Sequence, residues 1–311
     1  MTPDYSVLIT CYFEQESILE FHARLAKTMQ ELGRSYEIIF VNDGSTDRTF
    51  ELLREIFAKD PNVTTIIDMV KNSGQQAAIT AAMVVARGKA MVLMDSDLQL
   101  APEELPTLVA EFEKGVDIVS GYRKNRKDSW SRTIPSRLAN MIMRRASRSD
   151  FRDFGCTFKI YNAEIVRAFE YGPRRIFANV DLIAACGRRV EVPVSHFPRK
   201  YGKSGYTFAK LWTYNIDNVV TLSERPFQVL GGMSVVFALL LVLRVIGAFF
   251  FSGNILSSVS NGLILNVVFG SLFVNLALFS AIGEFAIRSF FIGRWAPRYI
   301  IRTLLTRVEP R

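Results

Sequence analysis

One long stretch of this chain is almost free of charge. From Pro226 to Gly283 the only charged residue is Arg244. A helix that spans a bilayer needs about 20 apolar residues, and the stretch fits two, at residues 227–251 and 262–287, joined by SGNILSSVSN. The alternative is a buried helical hairpin of a soluble protein, which the length of the uncharged run disfavours. The sequence therefore predicts a two-helix transmembrane hairpin.

The basic residues that flank this stretch predict its orientation. The loop between the two spans has none, whereas the segment after the second span contains Arg288, Arg294, Arg298, Arg302, Arg307 and Arg311. Basic flanks stay on the cytoplasmic side, so we expect both termini and the preceding domain to be cytoplasmic. The net charge of +8 fits contact with anionic lipids and phosphates, and no motif indicates nucleic-acid binding.

The length of 311 residues allows a globular domain, residues 1–225, followed by the hairpin and a basic tail, residues 226–311. The N-terminal segment has no basic region followed by a long apolar run, so we expect no signal peptide. Three cysteines, Cys11, Cys156 and Cys186, have neither the spacing of a metal site nor that of a disulfide framework. They are expected to be reduced.

The first part of the chain alternates between strand-like and helix-like segments. Apolar runs typical of strands cover residues 5–11, 36–41, 63–69, 90–94 and 117–121, and helical patterns cover residues 14–32, 46–58, 75–86 and 101–114. Such alternation predicts an α/β fold with a mostly parallel, doubly wound sheet. Ligands of these folds bind at the carboxyl ends of the strands.

The segment MVLMDSDLQ, Met91–Gln99, places two carboxylates at one strand end. Because strand side chains alternate between faces, Asp95 and Asp97 are expected to point the same way. Such oxygen ligands suit Mg²⁺ or Mn²⁺, which keeps waters and binds phosphate oxygens, so a nucleotide diphosphate could be held here. The alternative is an acidic turn that caps the helix beginning near Pro102.

Polar residues also follow the other predicted strands. They are Tyr12 and Glu14 after the first strand, Asp43 after the second, Lys71 after the third and Arg123 after the fifth. Neither a G-x-G-x-x-G motif nor a P-loop is present, so a dinucleotide fold and a P-loop nucleotide site are not indicated.

These segments together resemble a known family. The set ITCYFE, VNDGSTDRT, KNSGQQAAI, LMDSDLQLAPEEL and GYRKNRKDSW is similar to the inverting family 2 glycosyltransferases of GT-A type. The DFGC segment, the stretch VEVPVSHFPRKYGKSGYTFAKL and the two spans resemble polyprenyl-phosphate glycosyltransferases. GYRKNRKDSW and APRYIIRTLL resemble the bacterial undecaprenyl-phosphate aminosugar transferases of the 4-amino-4-deoxy-arabinose type. The resemblance covers essentially the whole chain.

The resemblance implies roles for residues of the reaction centre. Asp97 matches the metal-ligating aspartate, with Asp95 before it and Gln99 as a supporting ligand. Arg123 matches a basic residue near the phosphates, and Asp153 an aspartate close to the reacting groups. A lipid phosphate acceptor is already anionic, so Asp153 is expected to position the acceptor or metal, or to balance basic charge, more than to abstract a proton.

The resemblance also implies contacts to the nucleotide-sugar. The residues concerned are Tyr12, Glu14, Asp43, Lys71 and Asp95. The family motif usually has a lysine where this chain has Gly205, and Lys203 is the candidate replacement.

The acceptor side is expected in the basic and apolar stretch of residues 129–148. An interfacial helix there would place Arg137, Arg144 and Arg145 near lipid headgroups and the lipid phosphate. The alternative is an amphipathic helix that packs on the core and exposes its charges.

The sequence thus predicts a multi-pass enzyme of the bacterial inner membrane. It would transfer a sugar from a UDP-sugar to polyprenyl phosphate, for envelope glycan or lipid A modification. The resemblance further implies a homotetramer. Three alternatives remain: a processive or other-acceptor family 2 enzyme, although no Q-x-x-R-W motif is found; a catalytically inactive membrane scaffold; and a carrier, for which two spans without internal symmetry are a poor basis.

Overall fold

The computed structural model describes residues 2–124, 144, 149–198, 200, 268–286 except 269, 273, 276 and 284, and 296–308. The chain divides into two compact units, Met1–Leu222 with Ala296–Arg311, and Ser223–Trp295. The last residues were expected to form a basic tail after the hairpin. In the structure, Ala296–Arg311 is part of the same compact unit as the N-terminal domain.

The first unit is built from strands and helices that alternate. The strands are β1 (Tyr5–Cys11), β2 (Tyr36–Asn42), β3 (Val63–Met69), β4 (Ala90–Asp95), β5 (Ile118–Arg123), β6 (Lys159–Asn162), β7 (Arg189–Val194) and β8 (Ile301–Thr306). The helices are α1 (Ile18–Leu32), α2 (Thr49–Lys59), α3 (Gln75–Val85), α4 (Leu105–Phe112), α5 (Ala163–Ala168) and α6 (Asn179–Ala185). The strands and helices expected up to β5 are all present.

All of these strands form one eight-stranded sheet in the order β7-β5-β6-β4-β1-β2-β3-β8. Strand β6 is antiparallel to β4 and β5, and β8 is antiparallel to β3. The other pairings, β1 with β2 and β4, β2 with β3, and β5 with β7, are parallel. The expectation of a mostly parallel α/β sheet is confirmed, with two antiparallel strands that the sequence did not reveal.

The helices cover both faces of the sheet because strand side chains alternate between them. In β1, Val7 and Ile9 pack in one buried cluster together with residues of α1, α2 and α4. Leu8 packs in the opposite cluster with residues of α3, α5 and α6. This alternation produces a three-layer α/β/α arrangement, in which the central strands are buried on both sides.

The order of the strands creates a crevice beside β1. The chain passes from β1 to β2 and β3 on one side and then returns to place β4 on the other side. In open α/β sheets, ligands bind outside the carboxyl ends of the strands where this reversal occurs. Thr10 of β1 lies opposite Asp95 of β4, so the predicted acidic pair borders the crevice.

The described residues between Val268 and Ala286 are helical. Among the residues that the structure describes, no helix is both long enough and apolar enough to cross a membrane. The first predicted span, residues 227–251, lies outside the described residues, and the second, residues 262–287, is described only in part.

Candidate functional site

Asp95 ends β4 with both carboxylate oxygens engaged. Thr157 Oγ1 donates to Oδ2 at 2.6 Å, and Gln75 Nε2 donates to Oδ1 at 2.7 Å. Gln75 is the first residue of α3, and Thr157 lies in the segment that leads into β6. These two neutral donors fix the orientation of the Asp95 carboxylate.

Asp97 lies beyond the end of β4, in a bend. The strand alternation that was expected to align it with Asp95 does not extend this far. Leu98 instead adopts φ 60°, a left-handed conformation that few non-glycine residues adopt, and the N–H of Gln99 donates to Asp97 Oδ1 at 3.1 Å. The turn, rather than the strand, orients Asp97.

Arg123 and Asp153 form a two-pronged ion pair. Arg123 Nε donates to Oδ2 at 2.7 Å and Nη2 donates to Oδ1 at 2.9 Å. Burial alone would raise the pKa of Asp153, but the hydrogen bonds and charge of Arg123 outweigh it and lower the pKa below its usual value. Asp153 is therefore a carboxylate at neutral pH, matched to the guanidinium.

The backbone around Asp153 is also fixed. Glu191 of β7 accepts the N–H groups of Arg152 at 2.7 Å and Asp153 at 3.2 Å. The fully buried Lys159 of β6 donates from Nζ to the carbonyl of Cys156, and burial lowers the pKa of its amine. The loop that carries Asp153 is thus held in place by hydrogen bonds of its own.

Asp43 joins two of the loops that line the crevice. Its buried carboxylate accepts the N–H groups of Ser73 at 2.7 Å and Gly74 at 3.0 Å. Burial raises the pKa of Asp43, and these two N–H groups oppose the rise. The next residue, Gly44, has φ 69°, and a Cβ there would lie 2.3 Å from the carbonyl carbon of Lys71. A glycine is required where the loops after β2 and β3 touch.

The loop after β1 presents aromatic rings beside the crevice. Tyr12 and Phe13 are exposed, and their rings meet edge to face with centroids 4.5 Å apart. The N–H of Phe13 donates to Ser45 Oγ at 3.0 Å, and that of Glu14 to Thr49 Oγ1 at 3.0 Å. The Glu14 carboxylate accepts a hydrogen bond from Ser17.

Comparison with known proteins places this arrangement in a family. The model of the family described as Glycosyl transferase family 2 matches residues 6–169, a span that includes β1 to β6 and all of the site residues just described apart from Glu191. The chain belongs to glycosyltransferase family 2. It is a glycosyltransferase, and its mostly parallel α/β sheet is the GT-A type of fold.

Named relatives match this glycosyltransferase over almost its whole length. The undecaprenyl-phosphate 4-deoxy-4-formamido-L-arabinose transferase of Proteus mirabilis is 33% identical over 98% of this chain and 95% of its own. The protein of the same name from Edwardsiella ictaluri is 31% identical over the same shares. Among solved structures, that of S. aureus TarS with UDP-GlcNAc is similar at a TM-score of 0.49 and 18% identity, covering 70% of this chain and 66% of the other.

The other predicted site residues of the glycosyltransferase are exposed or lie outside the described residues. Lys71 is exposed on the loop after β3. Arg144 is exposed and donates from Nε to the carbonyl of Phe151 at 2.8 Å, which ties it to the loop before Asp153. Lys203, Arg137 and Arg145 lie outside the described residues.

Gln75, Thr157, Lys159 and Glu191 are the supporting residues that sequence reasoning did not single out. Gln75 and Thr157 could have been predicted, since they lie inside or next to the segments KNSGQQAAI and DFGC. Lys159 and Glu191 had no such signal, because a charged residue in a short strand is usually exposed.

The carboxylates of the crevice suit a divalent cation that is bound by both the protein and a substrate. Within the described parts of the chain, no group of three or more histidine, cysteine, aspartate or glutamate residues has the geometry of a metal site. Mg²⁺ and Mn²⁺ at nucleotide sites need only one or two protein carboxylates, because phosphate oxygens and waters complete the shell. Asp97 and Asp95 are the candidate carboxylate ligands, and hydrogen bonds from Gln75 and Thr157 orient the carboxylate of Asp95.

Proposed function

We propose that this glycosyltransferase moves a sugar from a UDP-sugar to undecaprenyl phosphate, with inversion at the anomeric carbon. The observation that carries the proposal is the match over 98% of the chain to relatives named undecaprenyl-phosphate 4-deoxy-4-formamido-L-arabinose transferase. A match of this extent includes the segments after the sheet domain, so it bears on the acceptor as well as on the reaction. The names of the relatives make a 4-substituted arabinose the first donor sugar to test.

The donor is proposed to lie along the edge formed by the ends of β1, β2 and β4. Tyr12 offers an exposed ring for the base. Asp43 holds the loops after β2 and β3 together, and Lys71 is exposed on the second of these loops. Asp97, supported by Gln99 and Asp95, would hold Mg²⁺ or Mn²⁺, which when bound neutralises charge on the diphosphate.

In the proposed reaction an oxygen of the lipid phosphate forms a bond to the anomeric carbon, while the bond from that carbon to the diphosphate breaks. The electron pair of the broken bond leaves with UDP. Because the acceptor phosphate is already anionic, no proton has to be removed from it. Asp153 is paired with Arg123, so its proposed role is to hold that guanidinium toward the phosphates and to balance its charge.

Two features of the chain support the proposed membrane hairpin, residues 227–251 and 262–287. Lys200 and Ala296 belong to the same compact unit, so any crossing of a membrane between them must occur an even number of times. In the described helical residues of the second unit, large apolar side chains are exposed, among them Phe279 at 70%. Exposed apolar surface of this kind is typical of contact with lipid or another protein.

The proposed function is tested with purified enzyme in detergent, labelled UDP-sugars and undecaprenyl phosphate, with and without Mg²⁺ or Mn²⁺. The donor panel contains 4-formamido- and 4-amino-arabinose, N-acetylhexosamine and hexose derivatives. We expect metal-dependent formation of lipid-linked sugar from one donor, lost in Asp97→Ala. UDP binding without product from any donor would overturn the assigned acceptor or nucleotide-sugar, while leaving the family assignment in place.

A further inference from the structure

Arg302 lies on β8, far along the chain from the crevice, yet it binds a buried acid at the crevice edge of the sheet. Its Nη1 is 3.3 Å from Oδ2 of Asp68, and its Nη2 donates to the carbonyl of Val70 at 2.7 Å. The Arg302 side chain is 55% exposed, whereas that of Asp68 is 2% exposed. A carboxylate so deeply buried depends on its partners, because leaving it unpaired is costly.

The second partner of Asp68 leads toward the crevice. Asn42, the last residue of β2, donates from Nδ2 to Asp68 Oδ1 at 2.7 Å. The other end of the same amide, Oδ1, accepts the N–H of Ser45 at 3.3 Å. The orientation of the Asn42 amide, and with it the loop after β2, is therefore set by the carboxylate that Arg302 holds.

One more hydrogen bond reaches the loop after β1. Ser45 Oγ accepts the N–H of Phe13 at 3.0 Å, and Phe13 lies between Tyr12 and Glu14. A continuous series of hydrogen bonds thus runs from β8 through β3 and β2 to the loop after β1. We call the residues Arg302, Asp68, Asn42 and Ser45 the Arg302 network.

We infer that Arg302 is a positioning residue for the nucleotide loops, which it orders through Asp68 and Asn42 without touching the substrate. The inference rests on the proposed function in taking these loops to bind UDP. It gives the C-terminal strand a role in donor binding as well as in completing the sheet.

Arg307, the residue that directly follows β8, provides a matched control. It also is exposed, and its guanidinium lies 4.5 Å from the ring centroid of Phe57. Its N–H donates to the carbonyl of Thr64, at the opposite end of β3 from Asp68. Loss of either arginine removes one exposed basic side chain at or just after β8, but of the two only Arg302 belongs to the series of hydrogen bonds that reaches the crevice.

The test compares Arg302→Met, Arg307→Met and wild type by hydrogen exchange of the ligand-free enzyme and by titration with UDP and Mn²⁺. We expect faster hydrogen exchange in the segments 12–14 and 43–47 only in Arg302→Met. In that variant the affinity for UDP should fall and the donor KM should rise by about three- to tenfold, which is the range typical of such coupling. The kcat should change little. In an Asp68→Asn background, which removes the buried charge, Arg302→Met should have little further effect.

The two arms separate failure of this inference from failure of the proposed function. If wild type does not bind UDP, the proposed donor is wrong, while the exchange data still test the network. Equal exchange of the two segments in Arg302→Met and Arg307→Met overturns the inference. So does an undiminished effect of Arg302→Met in the Asp68→Asn background.

Discussion

The guanidinium of Arg123 holds both carboxylate oxygens of Asp153, with Nε 2.7 Å from Oδ2 and Nη2 2.9 Å from Oδ1. The resemblance to family 2 enzymes implied separate roles for these residues, one beside the phosphates and one beside the reacting groups. The pair makes them a single unit, in which the position of the cation depends on the anion.

Replacement of Asp153 by Asn should lower both activity and stability. Removing one member of a largely buried ion pair leaves the other uncompensated, at a cost of about 2–4 kcal/mol. In a double-mutant cycle with Arg123→Met, the two losses of unfolding free energy should fail to add by about 1–2 kcal/mol. Additive losses would show that the ion pair does not form.

The same pair predicts a pH dependence of stability. The pKa of Asp153 is lowered in the folded protein, so its contribution is fully present above the ordinary carboxyl pKa of about 3.9. It is lost as the pH falls through the lower folded pKa. The difference in melting temperature between wild type and Asp153→Asn should therefore stay constant from about pH 8 to 5 and shrink only toward pH 4 and below. A difference that disappears between pH 7 and 6 would contradict this.

Thr157→Val should weaken metal-dependent UDP binding. The change keeps the shape of the side chain but removes the 2.6 Å hydrogen bond to Asp95, at a cost of about 1 kcal/mol, or about fivefold in affinity. Thr65→Val is the control, because Thr65 loses a hydrogen bond to Thr306 on β8 at the end of β3 away from the crevice. Calorimetric titration of both variants should show weaker binding only for Thr157→Val.

Gly44→Ala and Gly33→Ala should differ in stability and in UDP binding, although both glycines have similar positive φ angles, 69° and 67°. An added Cβ at Gly33 meets nothing within 4 Å, so only the left-handed backbone is penalised, by about 1–2 kcal/mol. At Gly44 the Cβ would also strike the backbone of Lys71 and Asn72. We expect Gly44→Ala alone to reduce UDP binding, and chemical denaturation to show that it is the less stable variant.

Glu37→Gln should reduce stability without changing donor binding. The buried Glu37 carboxylate accepts from Ser6 Oγ at 2.6 Å and from Arg87 Nη2 at 2.9 Å, near the amino ends of β1 and β2. Loss of its charge should cost about 2–4 kcal/mol of unfolding free energy, while donor KM stays within about twofold. A large increase in KM would mean that this end of the sheet communicates with the crevice.

Labelling of introduced cysteines tests the proposed hairpin in intact cells. Ser257→Cys, in the loop between the predicted spans, should react with a membrane-impermeant maleimide added outside the inner membrane. Glu55→Cys, exposed on α2, should react only after that membrane is permeabilised. Background labelling should be low because Cys11, Cys156 and Cys186 are buried. The opposite pattern would reverse the orientation.

The sequence predicted the elements whose apolar periodicity is strong. The bounds of β1 and β3 agree with prediction, and the first helix begins later than predicted, at Ile18 instead of Glu14. Strands β6, β7 and β8 were not anticipated. The four residues of β6 are too few to show a period. Strand β8 follows a long apolar stretch, so its arginine was interpreted as part of a basic tail.

In the site as well, local sequence patterns predicted some residues, whereas their partners distant in sequence were not predicted. Asp43, Asp95, Asp97 and Arg123 were predicted as site residues because each lies at or just after the end of a predicted strand, and parallel strands end at one edge. Their supports come from elsewhere in the chain: Thr157 is 62 residues from Asp95, and Arg302 is 234 residues from Asp68. No pattern in the sequence reveals such contacts, since they arise only when the sheet has formed.

The pairing of β8 with β3 has a consequence for synthesis on the ribosome. Strand β3 is complete at Met69, but its outer partner begins at Ile301, after the whole of Ser223–Trp295. The nascent domain must therefore keep an open strand edge, a surface prone to aggregation, for roughly 5–20 seconds after Leu222 is added. Only translation of β8 closes this edge, so a product that stops before Ile301 would retain most of its core yet expose an unpaired edge strand.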